Sequence, residues 1–242
     1  MPEWFENDSF WRELFPYLFP KERFDAAEEE MTKALSLLKF KGKSILDLCC
    51  GPGRHSIALA KRGFKVTGID RTSFFLKKAK ERARKEEDMR NFVRENAYDL
   101  VISMFTSFGY FDRQEEDLKV LQNIYRSLKP EGACLIDLMG KEIVAKIFHP
   151  TTSQKMPNGT ILVERHEIFD NWTRIRNEWI LINEERARSF KFHHTLYSGQ
   201  ELKDRLKQAG FQQVRLFGDL EGSEYGLEAR RLVAVAWKEQ PD

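Results

Sequence analysis

The stretch Ile45-Leu-Asp-Leu-Cys-Cys-Gly-Pro-Gly-Arg-His-Ser56 decides the fold, because a short apolar run ends in a glycine turn and passes into a helical pattern. A second apolar run, Val66-Thr-Gly-Ile-Asp70, ends in an acid. The two runs predict a strand, a tight turn, a helix and a second strand that ends in a carboxylate. Such a unit is typical of sites for the adenosine half of a cofactor, since glycines admit the ligand and a carboxylate accepts hydrogen bonds from ribose.

The glycine turn also indicates which cofactor it holds. A dinucleotide site needs a third glycine, but Ser56 stands at that position. Asp47 lies just ahead of the turn, where a carboxylate would repel a pyrophosphate. The same carboxylate suits a ligand with an ammonium and a sulfonium group. The turn therefore favours S-adenosylmethionine over a dinucleotide.

The sequence Asp47-Leu-Cys-Cys-Gly-Pro-Gly53 resembles the first motif of the class I S-adenosylmethionine-dependent methyltransferases, an acid followed by a glycine-rich turn. Asp70 matches the second motif of that family, and Asp88-Met89 matches the third. Tyr98-Asp-Leu-Val-Ile-Ser-Met-Phe105 is similar to the fourth. The resemblance implies S-adenosylmethionine as the cofactor and S-adenosylhomocysteine as the product.

The resemblance also implies roles for individual residues. Asp70 would bind the ribose hydroxyls, Asp88 would accept from the adenine amine and Met89 would pack on the adenine ring. Asp47 would bind the ammonium directly or through water. Cys49 stands where the family usually has glycine, and its Cβ predicts a φ below zero. The predicted cofactor-binding residues are Asp47, Cys49, Gly51, Gly53, Asp70, Arg71, Asp88, Met89 and Met104.

Alternating strands and helices predict an α/β fold with a doubly wound, mostly parallel sheet. The resemblance implies seven strands in the Rossmann-like methyltransferase arrangement, with a closing hairpin at 213–217 and 231–237. The expected domains are an N-terminal helical arm or lid (1–40), a catalytic domain (41–148 and 198–242) and an antiparallel β insertion that roofs the active site (149–197).

The third strand of this sheet has no apolar run to form it. The residues before Asp88-Met89 are charged, and the helical pattern that begins at residue 73 extends to about 85. Either the helix ends before residue 85 and leaves room for the strand, or several residues are missing from the chain between about Lys85 and Asp88. We favour the second alternative.

The N-terminal arm is rich in aromatic rings, and a helix capped by Asn7 or Asp8 and ended by Pro16 is expected there. This helix is either packed on the main domain or a lid over the substrate, with equal support. A longer helix is expected at 22–38. Partial alternation at 160–169, 172–182 and 187–197 predicts a three-stranded antiparallel meander in the insertion.

Ligands sit at the carboxyl ends of parallel strands, so the loop at 105–111, which follows the fourth predicted strand at 100–104, should face the transferred methyl group. This loop lacks the Asn-Pro-Pro-Tyr typical of methyltransferases that act on nucleobases and glutamine. His193 and His194 are adjacent on a predicted strand, so one of them must point inward, where it could act as a base. The predicted catalytic residues are His194, His193 and Tyr110. The predicted substrate-binding residues are Trp11, Tyr17, Phe105, Ser107, Phe108, Arg165 and Tyr197.

The composition argues against a nucleic-acid or membrane partner. Lys and Arg number 40 against 38 Asp and Glu, a net charge of +2, and no long apolar run occurs. The three cysteines suggest neither disulfides nor a zinc site, so we expect a cytoplasmic protein without metal, either a monomer or a homodimer. The expected activity is methyl transfer to oxygen or nitrogen of a small molecule. The alternatives are an RNA or protein methyltransferase, a non-catalytic cofactor-binding protein and a nicotinamide oxidoreductase.

Overall fold

The computed structural model describes residues 3–78, 84–184 and 186–239. Its main sheet has seven strands in the order β10-β11-β5-β4-β1-β2-β3. These strands are β1 (Ser44–Leu48), β2 (Lys65–Asp70), β3 (Arg84–Glu86), β4 (Tyr98–Ser103), β5 (Leu128–Leu138), β10 (Gln213–Phe217) and β11 (Leu232–Trp237). The helices are α1 (Asp8–Leu18), α2 (Lys21–Asp25), α3 (Ala27–Leu37), α4 (Arg54–Lys61), α5 (Ser73–Lys78), α6 (Gln114–Ser127), α7 (Lys141–Ile147) and α8 (Gly199–Gln208).

The sheet is parallel except at β11, which runs antiparallel to both β5 and β10. The central strands are apolar on both faces because helices cover both: α3 and α4 pack on one face, α6 and α8 on the other. The chain reverses its direction of winding between β1 and β4, and their carboxyl ends border a crevice. The predicted doubly wound fold and closing hairpin are therefore confirmed.

The third strand of the sheet is present. β3 pairs in parallel with β2, Gly68 opposite Arg84 and Asp70 opposite Glu86. The predicted helix over 73–85 is too long, since Arg84 already belongs to a strand; residues 79–83 lie outside the described part of the chain. An edge strand can be built from charged residues that give no apolar signal, so the shorter helix accounts for this strand. The alternative of missing residues between about Lys85 and Asp88 stays a prediction, and an intact-mass measurement tests it.

The insertion forms a second sheet of four antiparallel strands, which we call the roof sheet. Its strands are β6 (Thr151–Lys155), β7 (Ile161–Phe169), β8 (Arg174–Ile182) and β9 (Ala187–Thr195). The prediction of three strands was wrong because β6 is polar and mostly exposed. α7 was also missed.

Within the expected arm at 1–40, α1 and a preceding 3₁₀ turn (Trp4–Glu6) pack beneath the roof sheet, and only this part is called the arm below. The side chain of Asn7 caps α1, as predicted, by accepting from the backbone N–H groups of Ser9 and Phe10. Pro16 does not end α1. It lies in the last turn, where its missing N–H costs one backbone bond. The helix predicted at 22–38 is interrupted at Ala26, between α2 and α3.

Candidate active site

A cavity of about 610 Å³ lies at the carboxyl ends of β1, β2 and β4, beneath α1 and the roof sheet. Fourteen of the predicted site residues line it: Asp47, Cys49, Gly51, Asp70, Arg71, Asp88, Met89, Met104, Trp11, Tyr17, Phe105, Ser107, Tyr110 and His194. Five others do not line it: Gly53, Phe108, Arg165, His193 and Tyr197. The sheet edge, the arm and the roof sheet thus enclose one site.

The glycine turn follows β1 in a backbone conformation that favours residues without a side chain. Gly51 and Gly53 have φ of 53° and 83°, and Cys49 has φ of 59°. The predicted negative φ of Cys49 was wrong. Gly53 caps α4 instead of lining the cavity. Neighbouring backbone bonds hold the turn, with Cys50 N donating to Ile69 O at 2.9 Å and Gly53 N donating to Cys50 O at 2.9 Å.

Asp70 ends β2 and is only 8% exposed. Each of its carboxylate oxygens accepts one backbone N–H at 2.8 Å, from Gly51 and from Thr72. Burial raises the pKa of Asp70 to about 6, against the lowering effect of these two bonds and of a further hydrogen bond from the Thr72 side chain. A carboxylate oxygen can accept more than one hydrogen bond, so acceptor capacity remains for a ribose diol.

Asp47 is buried at the end of β1 and lines the same cavity. The hydroxyl of Ser56 donates to its carboxylate at 2.5 Å. The residue that replaces the third glycine of a dinucleotide site therefore orients this acid. A buried carboxylate at the glycine turn fits the ammonium end of S-adenosylmethionine.

Asp88 is bound by protein groups that the sequence did not indicate. Oδ1 accepts from the backbone N–H and Nε of Arg90, and Oδ2 accepts from Nη2 of Arg90 and Nη1 of Arg71. Although burial opposes ionisation, the Arg90 bonds hold the pKa of Asp88 below its usual range. These four bonds use the acceptor positions of the carboxylate, so the predicted bond from an adenine amine has no free position.

The arm is tied to this end of the cavity by ion pairs. Glu3 pairs with Arg90 at 2.8 Å and with Arg71 at 3.2 Å, and Glu6 also pairs with Arg71. Phe5 of the same 3₁₀ turn lines the cavity. The Arg71 guanidinium lies 5.4 Å from the centre of the Phe5 ring. We call these contacts the arm latch.

His194 lies at the other end of the cavity, on β9. It is in ring contact with Tyr110, with 5.0 Å between centroids. Burial lowers the pKa of His194 to about 4 and raises the pKa of Tyr110 above its usual range, so both side chains are neutral near pH 7. Asn177, which sequence reasoning missed, lies between His194 Nδ1, at 3.5 Å, and His166 Nδ1, at 2.8 Å.

The other predicted residues serve the structure around the cavity. His193 points away from it and pairs with Asp112 at 2.9 Å. Arg165 pairs with Glu178 on the surface, where its side chain is 60% exposed. Phe108 and Tyr197 stack in the core with 5.6 Å between ring centroids. The catalytic role predicted for His193 and the substrate contacts predicted for the other three residues are not available in this arrangement.

Aromatic rings from three elements form the wall around His194. Trp4 contacts Phe192 with 4.9 Å between centroids and Tyr110 with 5.2 Å. Trp179 of β8 contacts Phe192 with 5.1 Å between centroids. The sequence analysis missed Trp179 and Phe192. Phe192 could have been predicted from the sequence, because alternate residues of a strand share a face. Phe192 lies two residues before His194 and therefore on the same face of β9.

The comparisons with known proteins agree with this geometry. Residues 45–132 match the family model described as "Methyltransferase domain". A Bacillus subtilis (strain 168) protein with the name "Putative methyltransferase YqeM" is 28% identical over 218 residues, which cover 82% of this chain and 85% of YqeM. These matches support a class I S-adenosylmethionine-dependent methyltransferase. The expectation of such an enzyme is confirmed, and the nicotinamide alternative is wrong.

The chain is also similar to one relative whose name states its acceptor and to one solved methyltransferase structure. Glycine/sarcosine N-methyltransferase of Aphanothece halophytica is 24% identical to this methyltransferase over 217 residues, 84% of this chain and 79% of the relative. The structure of the CcbJ methyltransferase from Streptomyces caelestis has a TM-score of 0.78 at 17% identity and covers 89% of this chain and 90% of its own. At that identity the likeness shows a shared fold.

Two negative findings apply to the described ranges of this methyltransferase. Within residues 3–78, 84–184 and 186–239, no helix is long and apolar enough to cross a membrane. The same ranges contain no group of three or more His, Cys, Asp or Glu side chains that could hold a metal ion.

Proposed function

We propose that this methyltransferase transfers a methyl group from S-adenosylmethionine to an amino nitrogen of a small molecule. The sequence leaves oxygen and nitrogen open as the acceptor atom. The observation that supports nitrogen is the aromatic wall at the His194 end of the cavity, formed by Trp4, Tyr110, Trp179 and Phe192. Aromatic faces attract cations, and an amine reaches the site largely as its ammonium form.

The enclosure of the cavity supports a small acceptor. The roof sheet and α1 share an apolar cluster that includes Phe10, Leu162 and Phe192, and all three residues also line the cavity. A volume of about 610 Å³ is in the range of small-molecule sites. An RNA or a folded protein is too large to enter a cavity of this volume.

The names of several similar proteins agree with nitrogen as the acceptor atom. They include glycine/sarcosine N-methyltransferase of Halorhodospira halochloris and the sugar N-methyltransferase KedS8 of Streptoalloteichus. Because their acceptors differ from one another, these names support the class of acceptor atom and not an individual acceptor.

When bound, S-adenosylmethionine supplies an electrophilic methyl group for in-line displacement. Asp70 would hold the ribose hydroxyls through its remaining acceptor positions, and Asp47 would face the ammonium. Met89 and Phe111 line the cavity beside Asp88, where apolar side chains can pack on an adenine ring. The residues thus mainly position the two reactants, which by itself removes much of the barrier.

His194 and Tyr110 would position the acceptor. With the Asn177 amide oxygen facing His166, its Nδ2 donates to Nδ1 of His194, and the neutral imidazole carries its proton on Nε2. His194 then donates a hydrogen bond to the acceptor molecule. A pKa of about 4 means that His194 does not hold a proton near pH 7, so we assign it the orientation of the acceptor and not the role of a base. The ammonium would lose one proton to solvent before its nitrogen lone pair attacks the methyl carbon.

The test is a methyl-transfer assay with the full chain. Small amines, including glycine, sarcosine and amino sugars, are compared with their hydroxyl analogues, with peptides and with transfer RNA. S-adenosylhomocysteine release and product mass are measured. We expect methylated amine product, and less of it with Asp70→Ala when the cofactor concentration is not saturating. Turnover of hydroxyl analogues alone, or of peptides or RNA alone, would refute the proposal.

A further inference from the structure

Three arginines surround the ring of Phe105 at the carboxyl end of β4. Their guanidinium carbons lie 4.3 Å (Arg54), 4.7 Å (Arg23) and 5.3 Å (Arg231) from the ring centre. They come from the start of α4, from α2 and from the residue before β11. Arg23, Arg54 and Phe105 line the cavity. We call this group the arginine cluster.

The arginine cluster carries more positive charge than the protein neutralises. Arg54 pairs with Glu30 at 2.5 Å, and Arg231 pairs with Asp137 at 2.6 Å. Arg23 forms no ion pair with any residue in the described ranges. Burial and the charge of Arg54 lower the pKa of the Arg23 guanidinium. One positive charge therefore remains unpaired beside the cavity.

Arg54 also has an unused donor. Its side chain is 4% exposed, and Nη1 donates to Glu30 and to the backbone oxygen of Arg23. Nη2 is buried and has no hydrogen-bond partner among the described residues. A buried charged donor without a partner is costly, so the site is incomplete without an acceptor.

The backbone that holds Phe105 is itself strained. Phe105 and Thr106 have φ of 61° and 57°, a region that costs residues with a side chain about 1–2 kcal/mol each. Asp137 stabilises this turn, because its carboxylate accepts from Phe105 N at 3.0 Å and its carbonyl accepts from Thr106 N at 2.9 Å. Such strain persists where a fixed position serves function, here the ring under the guanidinium groups.

We propose that the arginine cluster binds a carboxylate of a ligand in the cavity. A carboxylate supplies one negative charge, and its two oxygens match the planar donor fork of a guanidinium. Two ligands could provide it: the methionine end of the cofactor, whose ammonium would face Asp47, or an acceptor that carries its own carboxylate. Only the second source rests on the proposed function.

The test compares Arg23→Gln with Arg12→Gln by calorimetry on the full chain. Arg23→Gln breaks no ion pair within the described ranges, so the fold should persist, as circular dichroism can check. Arg12 is a matched control, since its guanidinium lies 5.0 Å from the ring centre of Phe74, outside the cavity. The probes are S-adenosylhomocysteine, its decarboxylated analogue, and glycine and acetate added to the S-adenosylhomocysteine complex.

If the cluster binds the cofactor's carboxylate, Arg23→Gln lowers the affinity for S-adenosylhomocysteine about 10- to 100-fold. Its affinity for the decarboxylated analogue is then the same as that of the wild type. If the cluster binds the acceptor's carboxylate, Arg23→Gln keeps the wild-type affinity for S-adenosylhomocysteine and loses the binding of glycine and acetate. Equal affinities of Arg23→Gln and the wild type for every probe would overturn the proposal, as would an equal effect of Arg12→Gln. Failure to methylate any amine would refute the proposed function alone.

Discussion

Cys49 adopts the positive φ that the family's usual glycine reaches without steric cost. We expect Cys49→Gly to be more stable than Cys49→Ala by about 1 kcal/mol, because alanine keeps the left-handed strain while both variants lose the sulfur. Urea unfolding midpoints measure the difference. Equal midpoints would mean that the turn relaxes to negative φ when the side chain changes.

The adjacent histidines provide a matched pair of variants. His194 lines the cavity, whereas His193 pairs with Asp112 outside it. We expect His194→Ala to lower kcat/KM for an accepted amine about 10- to 100-fold through loss of a buried hydrogen bond, with S-adenosylhomocysteine affinity retained. His193→Ala should stay within about two-fold of the wild type. Similar losses in both variants would contradict the positioning role of His194.

Sequence reasoning located residues whose chemistry and strand position agree, and missed those that only tertiary packing brings together. Asp47 and Asp70 could be predicted because the carboxyl ends of neighbouring parallel strands meet at one edge of a sheet. The sequence contains no signal that Arg23 and Arg54 converge on Phe105, since they come from three separate elements. The acceptor capacity of Asp88 likewise depends on Arg71 and Arg90, whose side-chain directions are set by the fold.

At the scale of elements, apolar strands were predicted and polar ones were not. β1 and β4 are buried, so their apolar runs appear in the sequence. β3 and β6 lie at sheet edges, where one side pairs and the other does not, and charged or polar residues suffice. Whether α1 is a packed helix or a lid was left open. Two features, the apolar packing of α1 under the roof sheet and the ion pairs of the arm latch, are compatible with a packed helix and with a lid.

The arm latch makes a prediction about this element. Glu3 and Glu6 connect the 3₁₀ turn to Arg71 and Arg90 beside Asp88. We expect Glu3→Gln with Glu6→Gln to weaken S-adenosylhomocysteine binding about 3- to 10-fold at low salt, because partly exposed pairs contribute up to about 1 kcal/mol each. Calorimetry in 1 M salt should show a smaller difference, since screening already weakens the wild-type pairs.

The control for the arm latch is Glu29→Gln, which removes an exposed pair with Lys33 on α3. This variant should bind S-adenosylhomocysteine as the wild type does. An unchanged affinity in the double variant, or a salt-independent loss, would show that the arm is held by its apolar contacts alone.

At the scale of the whole molecule, the contribution of Asp70 and Asp117 to stability and the affinity for the cofactor should respond to pH in opposite directions. Burial raises the pKa of Asp70 to about 6 and that of Asp117 to about 7. Between about pH 4 and 7 the folded state therefore binds more protons at these groups than the unfolded state, and their contribution to stability falls as pH rises. Cofactor affinity should rise from about pH 5 to 7, because an ionised Asp70 is the better acceptor for ribose hydroxyls.

Two variants separate these effects. Asp117 lies outside the cavity and accepts a hydrogen bond from Tyr197 at 2.7 Å, so Asp117→Asn should gain stability relative to the wild type as pH rises, with the pH dependence of S-adenosylhomocysteine affinity unchanged. Asp70→Asn should weaken that affinity by about 1.5–3 kcal/mol near pH 7.5 and abolish its pH dependence. Urea midpoints and calorimetry at pH 5 and 7.5 measure both quantities. If Asp117→Asn alters the affinity profile, or Asp70→Asn preserves it, then Asp70 is not the ribose ligand.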